Sequence, residues 1–169
     1  MLTRFLDLDR RYTLRLRIAE KPGLRRTLAA IFAHSGDSWF WGLVLLPAAL
    51  LAPPAYARPA WILLAAVFIT ALLVLALKFT IRRRRPEGDW GQIYRITDPH
   101  SFPSGHAARA VLLAVLAFGL GPLWLGLLLA VWAPLVVLAR VAMGVHYLLD
   151  VLAGALLGGV IALIVLALV

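Results

Sequence analysis

Three short stretches bring together side chains that could handle a phosphoryl group. The first is Lys78 with the arginine run Arg82, Arg83, Arg84 and Arg85, closed by Pro86. The second is Pro103-Ser104-Gly105-His106, and the third holds Arg140, His146 and Asp150. Ionisable groups at or within membrane spans are costly, and by default they mark function. Lys78, Arg85 and Arg140 would gather three positive charges, and the planar fork of arginine suits phosphate oxygens. Ser104 and Gly105 fall where a helix should begin after Pro103. Free backbone N–H groups and the helix dipole make an anion site there, and glycine lets the anion approach. His146 and Asp150 are four apart, hence on one face of a helix. A carboxylate so placed can accept one ring N–H of His146 and leave the other nitrogen as a nucleophile or base. His106 supplies a second imidazole. A nucleophile, its orienting acid, a proton donor and an oxyanion cage are the ingredients of covalent phosphoryl transfer. The set demands no metal or other cofactor, because carboxylates are few and the arginines already neutralise a phosphate.

These residues sit in an unusual chain. Of its 169 residues, 63% are hydrophobic and 15% charged, with a mean hydropathy of +0.91. Disorder is excluded by that hydrophobicity, and a water-soluble globule of this size would lack the polar residues to cover its surface. The length is that of one domain. Cysteine is absent, so disulfides and thiolate metal sites are excluded. Lys and Arg number 17 against 8 acids, a formal charge of +9. In so apolar a chain the expected partners are membrane lipids and a lipid phosphate substrate, not nucleic acid.

The elements that must position the chemistry are read from charge-free runs. Residues 39–57 and 59–77 give two spans. Residues 104–145 give two more, broken at Gly119-Leu120-Gly121-Pro122, and residues 151–169 give the last. The fold class predicted is therefore all-α, a multi-pass transmembrane bundle of about five spanning helices. Gly154-x-x-x-Gly158 is a helix-packing signal within the last. Residues 1–38 read as a basic interfacial segment, and residues 39–169 as the transmembrane core. In the former, Pro22 sits in the first turn of an amphipathic helix bearing Leu24, Leu28, Ile31 and Phe32, and Gly36 stops it. Helix parity puts the N-terminus and both hydrophilic stretches on one membrane side. Eight cations precede Trp39 and six lie in residues 78–103, so the positive-inside rule makes that side cytoplasmic in a multi-pass protein of the cell (inner) membrane.

Lys78-x6-Arg85-Pro86, then Pro103-Ser104-Gly105-His106, then Arg140-x5-His146-x3-Asp150 resembles the three-part signature of the type 2 phosphatidic-acid phosphatase superfamily. That group includes lipid phosphate and prenyl-diphosphate phosphatases and shares its site with vanadium haloperoxidases. Pro-Ser-Gly-His alone arises by chance in roughly one chain in a thousand of this length, but three blocks in order do not. The resemblance implies that His146 attacks phosphorus to form a phosphohistidine and that Asp150 orients it. It implies that His106 protonates the departing oxygen and then activates water. Lys78, Arg85, Arg140, the Ser104 hydroxyl and the Gly105 amide would hold the phosphoryl oxygens. One departure is Ala139, where the family commonly has serine. The implied substrates are a prenyl diphosphate, phosphatidylglycerol phosphate, phosphatidic acid or a phosphorylated prenyl-linked sugar.

Blander roles are expected elsewhere. Arg82, Arg83 and Arg84 read as a solvated anchor on lipid phosphates, and Asp98 as a turn cap in preference to a residue that orients a catalytic group. Arg109 is divided between snorkelling and substrate contact, and His34 and His100 read as loop histidines. Trp39, Trp41, Trp61, Trp90 and Tyr94 read as interfacial aromatics. Two other functions compete with the phosphatase. A non-enzymatic lipid-binding protein would need only the basic surface and the spans, and a vanadium haloperoxidase would hold vanadate permanently in the same cage.

Overall fold

Ala52-Pro53-Pro54 sets the first boundary of the bundle. Proline lacks an N–H and pushes the residue before it out of helical conformation. Ala52 and Pro53 are accordingly extended, with ψ of 158° and 153°, and Pro54 opens the next helix. The break therefore comes before Arg58, not at it as the charge pattern suggested, and Arg58 lies inside the second apolar helix. The computed structural model describes residues 2–88 and 96–169; Trp90 and Tyr94 fall outside them.

Seven helices are seen among the described residues. They are α1 (Leu2–Leu16), α2 (Leu24–Ser35), α3 (Ser38–Leu51), α4 (Pro54–Ile81), α5 (Gly105–Leu120), α6 (Leu123–Ala142) and α7 (Leu148–Leu168). Five are apolar, as expected. Three of these, α4, α6 and α7, are long and apolar enough to cross a membrane. With 14 and 16 residues, α3 and α5 reach about 21 and 24 Å at 1.5 Å per residue, short of a hydrocarbon core of about 30 Å. Pro22 lies outside α2 rather than in its first turn, because Gly23, at φ +142°, occupies the position before Leu24.

The centre of the bundle is α5. Leu112, Leu113 and Leu116 are fully buried, and its alanines let neighbours approach closely. Against it lie α6 and α7, with α4 alongside and α3 on α4. Gly154, Gly158 and Ala162 form the seam of α7 with α5. A methyl group on Gly154 would sit 2.3 Å from the Ser104 carbonyl oxygen, and one on Gly158 would sit 1.9 Å from that of Ala108. Leu43, Leu50, Phe68, Leu72, Leu128, Val131, Leu156 and Leu163 point outward, the pattern of a lipid-facing surface.

The N-terminal segment docks onto one end of this bundle. Ala29 and Ala33 of α2 pack on Ala139 and Met143 at the end of α6, while Leu24, Leu28 and Ile31 remain exposed. Asp9 and Thr13 of α1 accept hydrogen bonds from the N–H groups of Leu149 and Leu148 at the start of α7. The ends of α4 and α6 and the starts of α3, α5 and α7 therefore meet at the same end as α1 and α2.

The seam predicts a graded response to methyl groups. Gly158→Ala must push α7 off α5, and overpacking of this kind costs about 1–3 kcal/mol. Gly159→Ala meets only Val111 Cγ1 at 3.7 Å, an ordinary contact. Thermal unfolding in detergent should show a clear drop for the first and little change for the second. Equal melting temperatures would contradict the seam.

Candidate active site

The three sequence blocks converge at the end of the bundle where the N-terminal segment docks. Lys78 comes from the last turn of α4, Arg85 from the strap that follows, and Ser104, Gly105 and His106 from the start of α5. Arg140 lies in the last turn of α6, His146 in the turn after it, and Asp150 in the first turn of α7. Lys78, Arg85, Ser104, Arg140, His146 and Asp150 are all buried. In the turn carrying His146, Gly144 has φ +68°, a conformation glycine adopts without penalty.

His146 is held at both ring nitrogens. Nδ1 lies 2.8 Å from the carbonyl oxygen of Ser101, which can only accept, so Nδ1 is the protonated nitrogen. Nε2 therefore carries the lone pair, and Arg85 Nη1 donates to it at 3.1 Å. This corrects the expected pairing with Asp150, whose nearest carboxylate oxygen stands 3.7 Å from Nδ1, outside hydrogen-bond range. A carbonyl has taken the orienting role because Asp150 is committed elsewhere. Its Oδ1 accepts from Arg83 at 2.7 Å and its Oδ2 from the Tyr147 N–H at 2.8 Å. Burial pushes the His146 imidazole well below the ordinary histidine pKa, and the cations Arg85, Arg140 and Lys78 push in the same direction. It is a neutral base.

Arg83 is not the solvated anchor expected of it. It joins Asp150 to Asp9, the latter at 2.5 Å, and stacks over the Tyr147 ring at 4.1 Å. Two carboxylates within reach of one guanidinium outweigh exposure to headgroups. Arg82 and Arg84 are exposed, as expected. Asp98 is likewise no turn cap. Its Oδ2 bridges Lys78 Nζ and, at 2.8 Å, Arg85 Nη2, while its carbonyl accepts from Arg85 Nε at 2.7 Å. A carboxylate thus sits between the two cations assigned to a phosphoryl group.

His106 points its Nε2 at Asp37 Oδ1, 2.7 Å away. It lines a pocket of about 240 Å³ with Lys78, Asp98, Gly105 and Arg109, whose remaining wall is Ser38 and the flank of α4 at Thr70, Ala71, Val74 and Leu75. Asp98 of this pocket bonds Arg85, which in turn donates to His146 Nε2. Arg140 acts electrostatically on both histidines. The Ser104 hydroxyl caps α5, accepting from the Ala107 N–H at 3.4 Å, and retains its own hydrogen to donate. On the far side of Arg85 a cleft of about 620 Å³ opens between α1 and the strap, lined by Arg10, Arg17, Arg84 and Tyr147.

Several predicted bystanders also move. Arg109 neither snorkels nor lines only substrate space: it donates to the Gly36 carbonyl and to Ser38 Oγ. Trp41 is buried against Trp132 rather than interfacial, whereas Trp39 and Trp61 are exposed. Ala139 packs in the α2 contact. Among the described residues, no cluster of three His, Asp or Glu side chains has the arrangement to hold a metal ion. Four functional contacts were missed from the sequence: Asp9, Asp37, the Ser101 carbonyl and the internal role of Arg83. Asp9 and Asp37 do carry a signal, being two of only eight acids in the chain. A backbone carbonyl carries none.

Known proteins resemble this chain in sequence and in fold. The PAP2 superfamily model matches residues 59–169, which include every block of the site. The decaprenylphosphoryl-5-phosphoribose phosphatase of Mycobacterium tuberculosis is 30% identical over 88% of this chain and 82% of its own length. The protein of the same name from Mycolicibacterium smegmatis is 33% identical over 81% of this chain and 74% of its own. Among solved structures, Aquifex aeolicus LpxE superposes with a TM-score of 0.73 at 26% identity, covering 96% of this chain and 94% of that one. The transmembrane PAP2 type phosphatidylglycerolphosphate phosphatase of Bacillus subtilis gives 0.80 at 24% identity, with coverage of 97% and 85%, a likeness of fold.

The His146 environment predicts its titration. An ordinary histidine is roughly three-quarters protonated at pH 6. A group whose pKa is depressed stays neutral there, so ¹⁵N-histidine NMR of the protein in detergent should show His146 as a neutral, Nδ1-protonated ring at pH 6. An imidazolium signal for it at that pH would contradict the described environment.

Proposed function

This chain belongs to the PAP2 superfamily, and from that premise we propose that it hydrolyses a lipid phosphate monoester or diphosphate through a phosphohistidine intermediate. Family membership and the apolar helices make it an integral membrane phosphatase. The observation that carries the mechanism is the fixed lone pair on His146 Nε2, next to Arg85 and within the field of Lys78 and Arg140.

The chemistry follows from those positions. The phosphoryl group enters the cation cage and displaces the Asp98 carboxylate from Lys78 and Arg85. Its oxygens are held by Lys78, Arg85 and Arg140, with the Ser104 hydroxyl and the Gly105 N–H at the start of α5. His146 Nε2 attacks phosphorus as the bond to the lipid oxygen breaks, and His106 gives that oxygen a proton. Water then attacks the phosphohistidine, losing a proton to His106, and inorganic phosphate leaves. Asp150 acts through the scaffold, holding Arg83 and the first turn of α7 in place. No metal ion is assigned to any step, since the cations of the cage carry the charge that develops on the oxygens.

The lipid portion lies on the His106 side, where the pocket meets the apolar flank of α4. Of the substrates the sequence leaves open, we favour the phosphorylated prenyl-linked sugar. Similarity to the two mycobacterial phosphatases over more than four-fifths of the chain supports this choice. The mouth faces the cytoplasm on the charge distribution, with residues 1–38 lying at the interface of the cell membrane as a basic segment against the core of residues 39–169.

Purified protein in detergent with EDTA should release phosphate from a panel of decaprenylphosphoryl-5-phosphoribose, phosphatidylglycerol phosphate, phosphatidic acid and a prenyl diphosphate. The highest kcat/KM is expected on the first. His146→Ala should lower turnover by at least about 10³-fold, and an alkaline quench of the wild type should trap acid-labile phosphate on the protein. Full activity in His146→Ala would overturn the mechanism. Failure of all four lipids to release phosphate would overturn the function.

A further inference from the structure

Asp37 occupies a position where its type has an ordinary explanation. It precedes α3 as the N-cap, and aspartate there normally caps the helix by accepting an N–H from its first turn, worth about 1 kcal/mol. Here the carboxylate makes no such bond. Oδ1 instead accepts from His106 Nε2 at 2.7 Å, while Oδ2 lies 3.1 Å from His34 Nδ1 and accepts from Trp39 Nε1 at 3.2 Å. The cap has been given up for a bond to a histidine 69 residues away.

The turn that carries Asp37 is fixed from several directions. Arg109, one helical turn beyond His106 on α5, donates to the Gly36 carbonyl and to Ser38 Oγ, the residues on either side of Asp37. Trp41 Nε1 donates to the Ser35 carbonyl at 3.0 Å, and Trp132 Nε1 to Ser35 Oγ at 2.8 Å. Gly36 leaves no room to spare: a methyl group there would stand 2.9 Å from Val136 Cγ1 and 3.3 Å from His106 Cδ2. One edge of the His106 ring, Cδ2 and Nε2, therefore rests on the Gly36–Asp37 turn. With Nε2 taken by Asp37, Nδ1 is the ring nitrogen left to serve the pocket that His106 lines with Lys78 and Asp98. Burial works to raise the Asp37 carboxyl, but His106 and then His34 hold it well below the usual carboxylate range, so it stays anionic.

We propose that Asp37 is the positioning residue for the acid–base histidine of this site, fixing the His106 ring with Nε2–H on the carboxylate and Nδ1 toward the substrate. The assignment rests on the phosphatase reading above. As the bond between phosphorus and the lipid oxygen breaks, the proton on Nδ1 passes to that oxygen. The ring becomes neutral, with Nε2–H still on Asp37. In the second step water gives its proton to Nδ1 as its oxygen bonds to phosphorus. Burial and the positive charges of Arg140 and Arg109 oppose the imidazolium needed before the first step and after the second, and the Asp37 carboxylate, 2.7 Å from Nε2, works for it. Asp37 thus stands to His106 as an orienting acid stands to the base of a catalytic triad.

The test separates acid catalysis from structural support. kcat/KM reports only the steps through cleavage of the bond to phosphorus, and an aryl phosphate with an acidic phenol needs far less help from an acid than an alkyl lipid phosphate does. Asp37→Asn keeps the shape of the side chain and removes its charge. The ratio of kcat/KM on alkyl to aryl phosphate should fall by about 10- to 100-fold in Asp37→Asn, in parallel with His106→Ala. An unchanged ratio, whether both substrates slow equally or neither slows, would overturn the assignment while leaving the phosphatase intact. A wild type inert on both substrates would remove the phosphatase reading itself and this one with it. Should Asp37→Asn not fold, the wild type still decides: ¹⁵N-histidine spectra should show neutral His106 as the Nε2–H tautomer, and the Nδ1–H tautomer would overturn it.

Discussion

Keeping three cations together at the buried end of a helical bundle is the constraint on which the remaining structure depends. Two like charges 5 Å apart repel by about 3 kcal/mol at an effective dielectric of 20, and removal from water adds to the cost. Lys78, Arg85 and Arg140 are all buried. One carboxylate offsets part of this cost directly, and three more hold the groups around the cage. Asp98 lies between Lys78 and Arg85, Asp150 and Asp9 hold Arg83, and Asp37 faces His106. Half of the eight acids in the chain are used in this way. Among these, Asp98 is the most exposed, its side chain 38% accessible, and it is the one that the phosphoryl group displaces in the proposed mechanism. Three cations against the single Asp98 carboxylate leave the cage positive at rest and more so once Asp98 leaves, which suits an anionic substrate.

The bundle supplies the rigidity that such a cage needs. Gly154 and Gly158 bring the backbone of α7 against the carbonyls of α5, and Ser104 N–H donates to the Asp150 carbonyl at 2.9 Å across the same seam. The two helices that open with Gly105-His106 and with Asp150 are therefore fixed to each other at their first turns. Arg83 then ties the strap after α4 to both α1 and α7. The N-terminal segment consequently belongs to the site: Asp9, Thr13 and Asp37 each hold part of it.

What could be read from the sequence divides along a physical line. Lys78-x6-Arg85-Pro86, Pro-Ser-Gly-His and Arg140-x5-His146-x3-Asp150 were legible because their residue types are rare in an apolar chain and their spacing is local. The apolar helices were legible from charge-free runs, whereas the charged α1 was not, and parity gathered the blocks at one end. Boundaries were misread where proline outweighed charge, as at Ala52-Pro53-Pro54. The i, i+4 rule put Asp150 on the face of His146 but could not show that Arg83 and the Tyr147 N–H claim its oxygens first. Asp98 and Arg83 were given exposed roles because the sequence does not show which long side chains fold back onto the cage. The Ser101 carbonyl has no signature at all, and Asp37 was hidden behind its plausible use as a helix cap.

A crystal structure with orthovanadate, a mimic of the pentacoordinate phosphoryl group, tests the central claim most directly. Vanadium should be bonded to His146 Nε2, with its oxygens on Lys78, Arg85 and Arg140, its far apical oxygen toward His106, and Asp98 turned away from the two cations it bridges here. Vanadate seated instead in the outer cleft between α1 and the strap, with Asp98 still on Lys78 and Arg85, would contradict the account.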